Sequence, residues 1–404
     1  LRRTFKAFSY RDFRLMWAGA FTSSVGTWMQ EVAQNWLILT LTGSTALLGL
    51  DAFLGEAPFL AFSLFGGVLA DRVDRRRILL GSQMVQMSSA ILLAGLILTG
   101  HIQVWIILTL SFVVGFAQSF GGPAYAALVP TLVDKEDLPN AVALNSIQFN
   151  LARVVGPVLA GVAFYRLGAF ACFGLNAVSF LAPIAALLVL TRGGITAPPA
   201  PEPVLQSLKT GLRTVRDDKS IRGLVVLAFV GSFCSMPLVT FLPVFAKNVF
   251  HQDAKGYSHL LAAFGIGAIV GAVGVATLGQ VRRKGALAVS MQMVFGALMA
   301  GFALSRQPIL SYALLGLAGA SMMVVFAMFM TLVQANVEDR LRGRVVSVYS
   351  LAFRGAMPLA SLIVVSLFGS LFPVSSVLVA AGCVLIAQGS IVLLSPLGAA
   401  IRSL

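Results

Sequence analysis

At 404 residues, 58% of them hydrophobic and only 11% charged, with a mean hydropathy of +0.91, the chain excludes a water-soluble globular domain; such domains carry about 25% charged residues. Long apolar runs recur from end to end, and ten-residue alternating segments are absent, so a polytopic bundle of membrane helices is expected and a β-barrel is not. The formal charge of +14 is not a nucleic-acid signature, because the basic residues gather in the loops of one side.

Residues 1–13 mix Arg2, Arg3, Lys6 and Arg11 with Phe5, Phe8, Tyr10 and Phe13, a composition suited to the membrane surface. The first apolar run is too long for a cleaved leader and lacks a small-residue cleavage site. Twelve spans are expected, at 14–40, 47–70, 77–99, 102–125, 139–165, 170–191, 222–247, 257–280, 286–304, 309–332, 343–368 and 374–398. With the N-terminus in the cytoplasm, the outer loops hold only Arg166, Lys247, Lys255 and Arg306, while nearly all other basic residues lie inside; both termini are therefore expected to be cytoplasmic.

Between spans two and three runs Gly66-Gly67-Val68-Leu69-Ala70-Asp71-Arg72-Val73-Asp74-Arg75-Arg76-Arg77. Charge alone makes this an ordinary basic inner loop. The order of residue types resembles the signature loop of the major facilitator superfamily, with Asp74 where most members carry glycine. The form of this loop is similar to that of the drug and siderophore exporter branch, which holds macrolide and enterobactin exporters. The resemblance implies that Gly67, Asp71, Arg72 and Arg76 form a conformational latch at the cytoplasmic helix ends.

The stretch from Asp12-Phe13-Arg14 to Ser24-Val25-Gly26-Thr27-Trp28-Met29-Gln30 resembles the first span of that branch. So does Asn145-Ser146 through Phe149-Asn150, Ala152-Arg153 and Gly156-Pro157 in span five. The Gly-Pro pair followed by Gly161 is similar to the antiporter motif of drug exporters, although Ala152 replaces an upstream glycine and span four lacks the arginine usual in proton-coupled members.

The chain also repeats itself. Arg153 and Pro157 correspond to Arg354 and Pro358, each arginine four residues before its proline. Two parallel halves follow, 1–191 and 222–404, joined by a linker at 192–221. The linker opens Pro-rich and continues as an amphipathic stretch, with Leu205, Leu208, Leu212 and Val215 beside Lys209, Arg213 and Arg216; this reads as an interfacial helix. The fold class expected is thus all-α, twelve transmembrane helices in two pseudo-symmetric six-helix halves.

Charges inside spans cost roughly 2.5–3.5 kcal/mol at a helix centre and are seldom idle. Glu31, Glu56 and Arg153 are the candidates for proton coupling, and Asp51 lies nearer the outer surface. Intramembrane pairing that simply holds the bundle together accounts for these residues equally well, and both readings stay open. By resemblance, spans one, four, seven and ten line a central cavity. Their polar, aromatic and methionine residues, Trp28, Gln34, Asn35, Gln118, Met236, Met322 and Phe326, together with Arg354 of span eleven, are the candidates to meet substrate. Core packing is the competing role for each methionine, and Gly267 and Gly271 read as helix packing.

Cys172, Cys234 and Cys383 lie far apart in apolar runs and give no disulfide or metal spacing, and the three histidines fall in or beside outer loops. No nucleophile–base pair points to an enzyme, and no cofactor or metal is expected. The reading is a monomeric inner-membrane secondary transporter. It exports a mid-sized amphipathic compound, a drug or siderophore, by alternating access with protons as coupling ion. The alternatives are uncoupled movement of a lipid or metabolite, and a transporter-like sensor or assembly partner without flux.

Overall fold

The computed structural model describes residues 5–191, 204–277, 283–394 and 398–402. The Pro-rich part of the linker and residues 278–282 lie outside them. Among the described residues there are helices and no strands. After a short 3₁₀ turn at Lys6–Ser9 come α1 (Arg11–Thr42), α2 (Thr45–Arg72), α3 (Arg75–Leu98), α4 (Val104–Leu128) and α5 (Leu138–Leu167). Then follow α6 (Ala169–Ser179), α7 (Leu181–Val189), α8 (Val204–Asp217), α9 (Lys219–Val244), α10 (Ala254–Thr277) and α11 (Lys284–Leu304). The chain ends with α12 (Pro308–Ala335), α13 (Asp339–Ala360), α14 (Gly369–Leu371), α15 (Val374–Leu394) and α16 (Ala399–Arg402).

Among the described residues, eleven helical stretches are long and apolar enough to cross a membrane. The expected first span falls on α1, which at 32 residues has the length but is not one of the eleven. Its Thr22, Ser23, Gln30, Glu31, Gln34 and Asn35 dilute its apolar character. The expected sixth span is one apolar stretch broken at Phe180 into α6 and α7. The eleventh continues from α13 into a π-helical segment, Ser361–Phe368. That segment begins three residues after Pro358, which lacks the N–H that would close the regular turn. Its counterpart Pro157 sits inside an uninterrupted α5, so the repeated Arg–Pro unit has two different backbones.

The chain forms two compact units. One comprises residues 1–43, 54–200 and 254–258; the other 44–53, 201–253 and 259–404. In the first, Phe13, Met16, Leu79, Leu128, Leu132, Leu144 and Leu187 build a fully apolar cluster. In the second, Ile221, Leu224, Phe329, Leu332, Val345 and Ile401 do the same. Gly267 and Gly271 are packing glycines in the second unit: a Cβ on either would strike the backbone of Gly316 or Ala320 on α12.

Polar contacts tie down the start of the chain. Lys6 Nζ lies 2.8 Å from Asp137 Oδ1. The Tyr10 hydroxyl donates to Asp137 Oδ2 at 2.7 Å and to Asp134 at 3.0 Å, and the Ala7 N–H donates to Asn140 Oδ1 at 2.8 Å. The hydrogen bond to Asp137, reinforced by its charge, holds Lys6 above its usual range, and the bond to Asp137 with burial pushes Tyr10 up to about 12. A group whose pKa folding raises contributes stability that is fully present below its ordinary value and is lost as pH rises through the folded one. Asp137, held below its usual range by the hydrogen bonds from Lys6 and Tyr10, contributes stability that is lost as pH falls through its folded value, so the clamp is constant across neutral pH and fails in strong acid and in strong alkali. Tyr10→Phe is expected to lower the thermal unfolding temperature by the same amount throughout the neutral range; a decrement that varies between mildly acid and mildly alkaline buffer would contradict this.

Candidate functional site

The signature loop is fixed by two side chains. Asp74 precedes α3 and accepts a hydrogen bond from the Arg76 N–H at 2.9 Å, so it is the N-cap of that helix. Aspartate and glycine are both accepted at N-caps, which is a physical reason for this chain to carry aspartate at a position where glycine is usual. Arg75 is 5% exposed. It donates to the Ala70 carbonyl in the last turn of α2 at 3.4 Å and to the Ala127 carbonyl in the last turn of α4 at 3.0 Å. A guanidinium there satisfies carbonyls that the two helix ends leave open and meets the negative end of each dipole.

Arg72 is exposed, Arg76 half-buried, and the side chain of Asp71 lies outside the described residues. At Gly67 a side chain would meet nothing within 4 Å, whereas at Gly66 it would strike the Ser119 carbonyl of α4. The close helix approach in this loop therefore belongs to Gly66. The Gly66-Gly67 pair suggests tight helix packing from sequence alone, but Arg75 is not singled out there: nothing in a run of three arginines says which one turns inward. Arg75→Gln is expected to destabilise the protein by about 1.5–3 kcal/mol, the worth of hydrogen bonds from a charged group. Arg77→Gln, on an exposed residue, should stay within about 0.5 kcal/mol. Thermal unfolding of the two variants checks this, and equal shifts would sink the assignment.

A second cluster lies along α1. Trp28, one turn before Glu31 and Trp36 two turns beyond, puts its ring 5.4 Å from the Arg153 guanidinium of α5, a cation–π contact. Glu31 is exposed, and its negative charge reaches Arg153. Gly156 allows this approach, since a Cβ there would meet the Trp28 side chain at 2.5 Å. One turn further, Gln34 donates to Ser111 of α4 at 3.0 Å, and Asn35 donates to the Tyr257 hydroxyl at 3.4 Å. Trp36 stacks on the Tyr257 ring at 6.4 Å between centroids. Tyr257 is 1% exposed. Trp28, Glu31, Gln34, Asn35 and Arg153 thus come together in one unit, joined by Tyr257 and Ser111. Periodicity cannot find either partner, because both belong to distant segments.

The other sequence-derived residues are placed differently. Gln118 is exposed and donates to Gln86 Oε1 at 2.9 Å. Gln86 in turn bonds Ser82, giving a polar seam between α3 and α4. Gln30 accepts from Asn176 of α6 at 2.7 Å. Glu56 is half-buried on α2, Asp51 is 6% exposed, and Arg354 is exposed on α13. In the second unit Met322 and Phe326 line a cavity of about 10 Å³ with Ser235, Gln292, Phe295 and Leu385. That space suits a single water and not a drug-sized compound. Phe326 also meets Phe353 edge-on at 4.6 Å. Met236 is half-buried on α9 and lies apart from this lining. No group of three or more metal-binding side chains occurs among the described residues.

A cluster with one guanidinium, one accessible carboxylate, two indoles, a phenol and two amides can hold a ligand by stacking and hydrogen bonds while a carboxylate exchanges a proton beside it. It has no activated nucleophile. Comparison with known proteins is consistent in this respect. Residues 3–401 match the family model described as transmembrane secretion effector. Macrolide efflux protein A of Streptococcus pyogenes is 21% identical over 274 residues, covering 67% of this chain and 68% of that protein. The enterobactin exporter EntS of Shigella boydii serotype 4 is 28% identical over 339 residues, covering 82% and 79%. The crystal structure of a bacterial homologue of the human lysosomal transporter Spinster, inward-facing and unoccupied, superposes with a TM-score of 0.70 at 13% identity, over 97% of this chain and 96% of that one.

Proposed function

Because the chain belongs to the transmembrane secretion effectors of the major facilitator superfamily, and is thus a multi-pass membrane transporter and not an enzyme, we propose that it exports a mid-sized amphipathic compound of the drug or siderophore class in exchange for protons. The observation that carries this reading is the α1–α5 cluster, where Arg153 lies over Trp28 within reach of the Glu31 charge. An arginine stays charged at any working pH, so the protonation of a neighbouring carboxylate decides whether the pair is neutral or carries a net positive charge. A ligand that needs the guanidinium then competes with the carboxylate for it, and proton binding and ligand binding become linked. The indoles of Trp28 and Trp36 offer flat apolar faces to an amphipathic molecule.

Other support comes from the relatives, one that moves a macrolide and one that moves enterobactin by their names. The distribution of basic loops favours cytoplasmic termini and placement in the inner membrane. Transport proceeds by alternating access, with the two repeats rocking about the ligand, and the working unit is a monomer. The coupling energy is available: each charge moved through 100 mV is worth about 2.3 kcal/mol.

The test is uptake into everted membrane vesicles, with a panel of drugs and siderophores and with the pH gradient present or collapsed. Gradient-dependent accumulation of at least one compound is expected. Equal uptake without the gradient would replace antiport by uncoupled movement, and no uptake across the panel would favour a protein without flux.

A further inference from the structure

Helix α8 is the least apolar long helix of the chain, and its packing fixes which side faces outward. Val215, 7% exposed, belongs to the apolar cluster of its unit. Gly211 lies so close to α13 that a Cβ would meet the Arg344 carbonyl at 2.6 Å and Val348 at 3.0 Å. These two residues, four apart, define the buried stripe. The opposite face carries Gln206, Lys209, Arg213 and Arg216, with Leu212 on its flank, all exposed. At 100° per residue Lys209, Arg213 and Arg216 fall within roughly 60° of one another. They line a shallow groove with Leu212 and Asp217.

The acids nearby do not balance them. Asp217 lies 3.8 Å from Arg213 with both side chains exposed, a pair worth little. Asp218 is occupied as the N-cap of α9, accepting from the Ser220 and Ile221 N–H groups at 2.7 and 3.0 Å. Lys209 and Arg216 have no acidic partner among the described residues. At the edge of this basic face, between it and the buried stripe, stands Leu212, 49% exposed. An apolar side chain among cations suits neither a solvated surface nor a protein contact with the same economy as a lipid interface, where it enters the acyl boundary and the cations meet phosphate.

We propose that this face of α8 binds the phosphate headgroups of anionic lipids in the leaflet that the basic loops face. Lys209, Arg213 and Arg216 hold the headgroups, and Leu212, on the flank of that face, enters the acyl boundary beside them. This is a lipid site separate from the α1–α5 cluster, and it stands whether or not transport is proton-coupled.

Native mass spectrometry of the full chain, titrated with phosphatidylglycerol or phosphatidylcholine, tests it. Wild type should retain phosphatidylglycerol in preference to phosphatidylcholine. Lys209→Gln, Arg213→Gln and Arg216→Gln should each weaken that retention roughly fivefold, the effect of one cation at an anionic surface. The combined charge-preserving variant Lys209→Arg, Arg213→Lys and Arg216→Lys should restore it, and Leu212→Asn should weaken it with all charges kept. Since all four positions are exposed, folding is checked by unchanged thermal unfolding, and the single variants carry the test if a combined one fails to fold. Unchanged retention in the three neutralised variants would overturn the proposal. So would displacement of the lipid by an equal concentration of inorganic phosphate, which would show a general anion site.

Discussion

Asp71→Asn is expected to reduce transport at least tenfold while expression and ligand binding survive, a loss of about 1.4 kcal/mol or more in the transport step. The reasoning starts from the backbone around it. Ala70, the preceding residue, has its carbonyl held by the buried Arg75, and Asp74 caps the next helix. Gly66 pins the same end of α2 against α4. These contacts hold the backbone on either side of Asp71, in the last turn of α2, where the helix dipole disfavours a negative charge. A carboxylate kept at such a place needs cationic partners to offset that cost, and asparagine keeps its shape while removing its charge. If Asp71 is one half of a latch whose release is part of the cycle, the neutral variant stalls between states without losing the fold. Near-normal flux in Asp71→Asn would count against the latch, and so would a loss of flux that merely follows a loss of thermal stability.

Neutralising Glu31 should have an effect of similar size on a different step. From the sequence, Glu31 and Glu56 are both candidates for the titrating group. The geometry moves the weight to Glu31, whose charge acts on Arg153 from the neighbouring helix, with the Trp28 ring against the same guanidinium. Glu31→Gln should keep exchange of substrate for substrate and lose accumulation driven by pH, while Glu56→Gln should retain it. Arg153→Lys should reproduce the Glu31→Gln defect, because an ammonium cannot both stack on an indole and present a forked pair of donors. Arg354, exposed on α13 before the π-helical segment, should behave otherwise: Arg354→Lys should shift apparent affinity or substrate preference and leave the pH dependence intact. Transport kinetics across pH, with two substrates of different charge, separate these cases. Identical defects in the two lysine variants would assign both arginines a shared structural role, and undisturbed pH dependence in both Glu31→Gln and Glu56→Gln would remove carboxylates from the coupling.

The helices were legible because membrane insertion imposes long apolar runs, and hydropathy reads them directly. The interruptions were harder. Phe180 divides the sixth run just before Pro183, whose missing N–H leaves the Ser179 carbonyl at the end of α6 without its regular helical partner, and the π-helical turn after Pro358 has no counterpart after Pro157 although the local motifs match. Of the candidate site, the α1 face was visible as polar residues at helical spacing. Arg153 was visible as a charge that the membrane makes expensive. Tyr257 was not, since a tyrosine at the start of an apolar run is an ordinary interfacial anchor until its hydroxyl is seen beside Asn35. Arg75 shows the same limit within one motif: three successive arginines are chemically alike, and only the carbonyls of Ala70 and Ala127 distinguish the one that turns inward.

The coupling of proton and substrate movement is tested most directly in proteoliposomes loaded with a pH indicator and given a concentration gradient of a transported compound, with no pH gradient imposed at the start. Substrate running down its gradient should drive protons the opposite way, so the lumen pH should change with a sign set by the direction of substrate flow, and Glu31→Gln should carry substrate without the pH signal. Substrate flux in the wild-type protein with no accompanying proton movement would contradict proton antiport.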